Sequence, residues 1–216
     1  MSLRRFTSSA VRLLLPAAIL VVAGCASTGP KSAVRGQADN TIDARAQNIP
    51  AQALTMFEQA VAVMAAGDFV DAELRFKEFL LQYSGYPGVY VNLAIIHANN
   101  GNNTAAEAAI DAALGLDADY PPALNQQGML LRRNGKFIEA EAAYLKAVTA
   151  SPDYALAHYN LGVLNELYLQ RLDAALRHFE HYQELVSEDQ QVARWIADLS
   201  RRVMANQRTA NTAHED

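Results

Sequence analysis

The chain has 216 residues, 51% of them hydrophobic, and a formal net charge of −5. That length fits one or two domains, and an Ala-rich composition with few glycines and prolines points to helices. Three of its 18 cationic residues (Arg4, Arg5, Arg12) lie in the first 24 positions with no acid among them. The rest therefore carries 15 cations against 23 acids, a net of −8. Such a chain lacks the basic footprint that nucleic acid requires, and its single cysteine excludes an intramolecular disulfide.

In chain order, residues 1–24 read as a targeting segment, outside the fold. The three arginines form a basic region, and residues 13–23 are an apolar run too short to cross a bilayer. The run ends in Val22, Ala23, Gly24 and Cys25. This resembles the lipobox of bacterial lipoproteins, in which small residues precede a cysteine that becomes the mature N-terminus. The resemblance implies that Cys25 carries a thioether-linked diacylglycerol and an acylated amine, a firm anchor. Residue 26 is Ala, not the Asp that favours inner-membrane retention in enterobacterial lipoproteins. The implied location is therefore the outer membrane, lipid-anchored and facing the periplasm. Residues 25–50, rich in small and polar side chains without apolar period, read as a lipidated flexible linker with a reach of roughly 25–30 Å.

Residues 51–205 form the expected folded domain. Residues 87–120 and 121–154 carry one 34-residue pattern twice, with Gly101 aligned on Gly135, Ala106 on Ala140, Ile110 on Tyr144 and Ala113 on Ala147. A fixed period of this size marks a helical repeat array. Each unit is two amphipathic helices that bury their apolar faces only by stacking on neighbours. The pattern resembles the tetratricopeptide repeat (TPR), a helix–turn–helix unit; Gly128, Ala140, Tyr144, Ala147 and Pro152 match it in the second copy. Gly101 and Gly135 suit the turn, where a positive φ ends the first helix. Residues 53–86 read as a degenerate first repeat, with Gly67, Asp68 and Phe69 at its turn. Residues 155–186 read as a fourth, opened by Tyr159, Asn160, Leu161 and Gly162. Its turn, near residues 169–172, has no glycine and fits the pattern only with one inserted residue. Ser187 and Gln190 predict a capping box for a last helix at 188–205, with Trp195 plugging the core. Residues 206–216 read as a disordered tail. The expected fold is all-α: a TPR solenoid of about four units with a C-terminal capping helix.

No enzyme signature is present: there is neither a phosphate-binding loop nor a nucleophile elbow, and lipidation would occupy Cys25. His178 and His181 stand three apart on one helix, but no third ligand is placed by sequence. No metal and no cofactor beyond the covalent lipid is expected. His97 and His158 read as packing residues.

The TPR resemblance implies a concave groove lined by the first helix of each unit. The residues it assigns are Leu54, Phe57, Val61 and Met64; Val91, Ile95 and Asn99; Asn125, Met129, Arg132 and Arg133; and Tyr159, Val163 and Glu166. Most are apolar, which predicts a strip for a partner helix or extended peptide, with Arg132 and Arg133 holding an acidic group beside it. The competing expectation is that the chain's own linker, or a second copy in a homodimer, covers part of the strip. Phe57 stands where chaperone-tail receptors of this class need Lys or Arg, which argues against that subtype. In layout the chain resembles the TPR lipoproteins that serve type IV pilus secretins and tight-adherence pili. The implied function is a non-enzymatic scaffold binding envelope proteins. Adaptors of TonB–ExbB-type or peptidoglycan-enzyme systems, or a self-associating structural lipoprotein, are the alternatives.

Overall fold

Proline and glycine punctuate the chain at the places where its helices start and stop. In the computed structural model, which describes Ile42, residues 48–186 and residues 189–212 (side chains of 209–212 excepted), these residues contain nine helices and no strand. They are α1 (Ala51–Ala65), α2 (Phe69–Gln82), α3 (Pro87–Asn99), α4 (Asn103–Leu116), α5 (Pro121–Arg133), α6 (Phe137–Ala150), α7 (Ala155–Leu167), α8 (Leu172–Leu185) and α9 (Gln190–Thr212). All nine belong to one compact unit. The leader at 1–24 and Cys25 lie outside the described residues.

Pro87 and Pro121 open α3 and α5, where a missing N–H leaves no helical bond unmade. Asp68 and Asn102 cap α2 and α4, their side chains accepting from the backbone N–H of Asp71 and Ala105. Gly67, Gly101 and Gly135 take φ values of 89°, 76° and 77° between paired helices. Each is followed by a residue whose N–H reaches back five positions: Asp68 to Val63, Asn102 to His97 and Lys136 to Leu131. This is the glycine-ended helix stop. In the fourth turn Gln170 takes the left-handed conformation, with φ 54°, and the closing bond spans six positions, from Arg171 N–H to the Asn165 carbonyl. The extra residue and the missing glycine are therefore the same local event.

Helices α1, α3, α5 and α7 each pack against the even-numbered helix that follows, α9 packs on α8, and α3, α5 and α7 also pack in sequence. A small residue on the first helix meets a large one on the second. A Cβ built on Gly128 would lie 2.5 Å from Tyr144, and one on Gly162 2.7 Å from Phe179. At the equivalent contact in the second repeat Ala94 shares a buried cluster with Ile110, and in the first Ala60 shares one with Phe76. Ring size and backbone spacing are thus matched within each pair.

Three expectations are corrected at the ends. The last helix is capped by Asp189, whose carboxylate accepts from the N–H groups of Gln191 and Val192; Ser187 lies outside the described residues. The helix also continues past 205 to Thr212, because no Gly or Pro interrupts it, Val203 is buried, and Gln207 donates to Asp173 of α8 at 3.3 Å. The tail expected at 206–216 is therefore helical to 212, and residues 213–216 lie outside the described residues. At the other end Ile42, expected in a free linker, is buried among α1–α3 residues, and its carbonyl accepts from Gly88 N–H at 3.1 Å.

Candidate protein-binding groove

The first helices of the repeats carry the side chains assigned to the groove, and their packing decides which ones a partner can reach. Phe57, Met64, Val91, Ile95, Asn125, Tyr159 and Val163 are all buried. This corrects the expectation of an exposed apolar strip. The Phe57 ring lies 6.0 Å from Phe76 of the paired helix. Tyr159 lies edge-on to Phe179 at 6.0 Å and is also ringed by Tyr182 and by Trp195 of α9; Val163 joins the same cluster. Asn125 accepts from Asn160 across the α5–α7 contact at 2.9 Å. The physical reason is common to all of them: these positions face a neighbouring helix, so their apolar character serves the array.

What stays accessible is a more polar set. Leu54, Asn99 and Arg133 are exposed, and Val61, Met129, Arg132 and Glu166 are half-buried. The structure brings Asn99, Met129 and Arg133 together at the rim of a small, shallow depression between α3, α4 and α5, with Ile95 in its wall. Arg133 donates to the Ala98 carbonyl, placing a cation at the end of α3 where the helix dipole is negative. The Arg132 guanidinium lies 6.0 Å from the Tyr168 ring centre, within cation–π range, and Tyr168 in turn stacks near Phe137 at 4.7 Å. Glu166 accepts from Arg202 of α9 at 2.7 Å, so α9 engages the last groove position. Leu54 and Val61 sit on α1, away from this depression's lining.

The hydroxyls behind the groove are electrostatically distinct. Tyr144 and Tyr159 bury theirs without a hydrogen-bond partner among the described residues. Burial raises both phenols above their ordinary range; the nearby Arg132 charge opposes this, and the Asp189 charge adds to it at Tyr159. Tyr182 donates to Asp189 at 3.2 Å, and its phenol is pushed up to about 12 by burial and by that carboxylate.

A second cluster was legible only in part. Pairing of α7 with α8 brings His158 against His178, their Nδ1 atoms 3.3 Å apart, while His158 Nε2 lies 3.0 Å from the Pro152 carbonyl. A carbonyl only accepts, so Nε2 carries the proton and His158 Nδ1 is left to accept from His178. Burial, with the neighbouring charges of His158, Arg177 and His181, holds His178 down to about 4. Burial also lowers His158, against the pull of the Pro152 carbonyl. Sequence spacing relates His178 to His181 but says nothing of a residue 20 positions upstream; only the paired repeat positions could have signalled it.

Residues 63–126 match a tetratricopeptide repeat model and residues 128–167 a TPR repeat model. The human protein O-mannosyl-transferase TMTC2 is 42% identical over 59 residues, 27% of this chain and 7% of that protein, so the chain spans a small fraction of that relative's length. Among solved structures, pilF of Pseudomonas aeruginosa superposes with a TM-score of 0.63 at 21% identity, covering 71% of this chain and 69% of that one. A thermophilic TPR protein of Thermus thermophilus gives 0.61 at 20% identity, over 69% and 82%. The first TPR domain of Spaghetti (RPAP3), solved with an HSP90 peptide, gives 0.51 at 19% identity, over 55% and 95%. At these identities the likeness is one of fold. The described residues form an all-α TPR helical-repeat solenoid, an architecture that presents surfaces to partner proteins.

Proposed function

We propose that this chain is a non-enzymatic protein-interaction scaffold, lipid-anchored through Cys25 at the outer membrane and facing the periplasm, that assists an envelope machine of the pilus or secretin type. The observation that carries the scaffold reading is the repeat array itself, whose accessible rim at Asn99, Met129 and Arg133 offers a cation and an amide beside a small depression, while the neighbouring Arg132 faces the Tyr168 ring. That rim suits a peptide with an acidic residue, since guanidinium–carboxylate pairs are strong and directional. The envelope reading is supported by the succession in the sequence of the three arginines, the apolar run and Cys25, and by the fold likeness to pilF.

Cross-linking the lipoprotein in its own membrane, read by mass spectrometry, tests this. A dominant envelope protein joined near residues 99–133 supports the reading and names the machine. Recovery of no envelope protein above background would count against it. Arg132→Glu should remove such cross-links at a modest cost in stability, about 0.5–1 kcal/mol for the lost contact with the Tyr168 ring.

A second reading has its own observation. Val70, Leu74 and Leu81 lie along one face of α2 with 73%, 62% and 87% of their surface exposed, an apolar stripe that favours self-association. Sedimentation of the lipid-free chain separates the two: a monomer at every concentration sinks the homodimer.

A further inference from the structure

The fourth repeat holds three of the chain's five histidines in one place. His158 comes from α7, and His178 and His181 from successive turns of α8. The two facing Nδ1 atoms are 3.3 Å apart. Two imidazole nitrogens each about 2.0–2.1 Å from one tetrahedral ion are separated by about 3.3 Å. The far nitrogen of His158 is tied to the Pro152 carbonyl at 3.0 Å. That outer contact fixes the tautomer of a metal-bound imidazole and leaves the opposite nitrogen with its lone pair. The third ring, His181, lies with its centre 4.3 Å from that of His158, and its Nδ1 meets the Glu184 carboxylate at 3.1 Å.

We propose that this cluster binds a divalent late first-row metal ion, zinc foremost, through His158 Nδ1, through His178 Nδ1 once the proton it gives to His158 has moved to Nε2, and, after a change of rotamer, through His181. As it stands the site is two-pointed: among the described residues no three His, Cys, Asp or Glu side chains already form a group that could hold a metal. His181, with 43% of its side chain exposed, turns once it releases the Glu184 carboxylate. Neutral imidazoles select zinc, copper or nickel and not calcium or magnesium. A bound ion would join α7 to α8 across the intra-repeat turn that lacks a glycine, so it would act as a clasp on the repeat where the backbone is strained.

The test uses the full chain stripped with chelator, then titrated with zinc sulfate, calorimetry and thermal unfolding being followed together. One zinc per chain is expected, with a rise in Tm of about 5 °C or more at hundred-fold excess over Kd; calcium chloride should do nothing. Cobalt in place of zinc should give the visible absorption of a tetrahedral site. His158 is buried and its loss could unfold the repeat, so the informative variants are His178→Gln and His181→Gln, each expected to weaken zinc at least about 10-fold. His214→Asn should leave binding intact. No zinc binding below 100-fold molar excess overturns the proposal, as does binding that persists in the His178→Gln/His181→Gln double variant.

Discussion

Adding one methyl group at Gly128 separates two effects that oppose each other. Ala is favoured over Gly inside a helix by about 1 kcal/mol, so local propensity predicts that Gly128→Ala stabilises α5. The structure predicts the reverse. The new Cβ would stand 2.5, 2.6 and 2.8 Å from Cε1, Cδ1 and Cζ of Tyr144, about 1 Å inside the contact distance of roughly 3.5–4.0 Å between carbons. Tyr144 cannot swing aside, being fully buried with Ala140, Leu161 and Leu164 around it. The helices must part, and overpacking of this kind costs typically about 1–3 kcal/mol. With three ring atoms overlapped, the upper end applies, and the net loss is about 2 kcal/mol after the propensity gain, or roughly 4–8 °C in Tm. Urea and thermal unfolding followed by circular dichroism measure it. Gly115→Ala on α4 is the control: its Cβ meets nothing within 4 Å, so propensity alone acts and stability should rise by about 0.5–1 kcal/mol. Shrinking the ring in Gly128→Ala/Tyr144→Leu should return part of the loss as a coupling energy of about 1 kcal/mol or more. If Gly128→Ala proves as stable as the parent, the matched spacing of Gly128 and Tyr144 is not what holds the repeat together.

Gln170→Gly should raise stability by about 0.5–1 kcal/mol, because glycine adopts φ 54° without the strain a side chain suffers; a lower Tm would refute this. Asp189→Ala removes the acceptor for two backbone N–H groups and the Tyr182 hydroxyl, with an expected loss of about 1–2 kcal/mol and lower helicity. Tyr182 also sets an alkaline limit. Its folded phenol, near 12, lies above the ordinary value of 10.0, so its contribution is complete below pH 10 and is lost as pH rises toward 12. The ring is partly exposed, so solvent screening keeps that contribution small. Absorbance titration at high pH should show late phenol ionisation, advanced by Asp189→Asn. Finally, Phe57→Glu with Tyr159→Glu places two carboxylates in buried sites and should unfold the domain; a folded double variant would return these positions to the groove surface.

The repeat was legible because its signals are local. The turn glycines and the small–large pairs of first and second helix recur at one period, and the irregular fourth turn announced itself through a missing glycine and a surplus residue. The groove was not legible in the same way. Phe57, Val91 and Tyr159 occupy positions that the repeat pattern directs toward a ligand, but whether a neighbouring helix covers them depends on how closely successive units stack. Their apolar character was the usable clue, since a side chain that shuns water is more economically explained by burial than by an absent partner. Trp195 reads as core from the sequence because it falls on the apolar face of the closing helix, and the structure places it beside Phe179 at 5.8 Å. The end of α9 escapes the same reasoning: its apolar period fades after Val203, while a polar helix without a breaker can persist on contacts such as Gln207 with Asp173.

The contact made by Ile42 bears on how the array carries load. Its carbonyl is held by the first turn of α3, and its side chain sits in the cluster that unites α1, α2 and α3. Tension drawn through the N-terminal side of the chain therefore reaches the first and second repeats together at this fastening. One hydrogen bond and one buried side chain form the mechanical fuse, and in a single-molecule pulling experiment its rupture would precede the unravelling of α1.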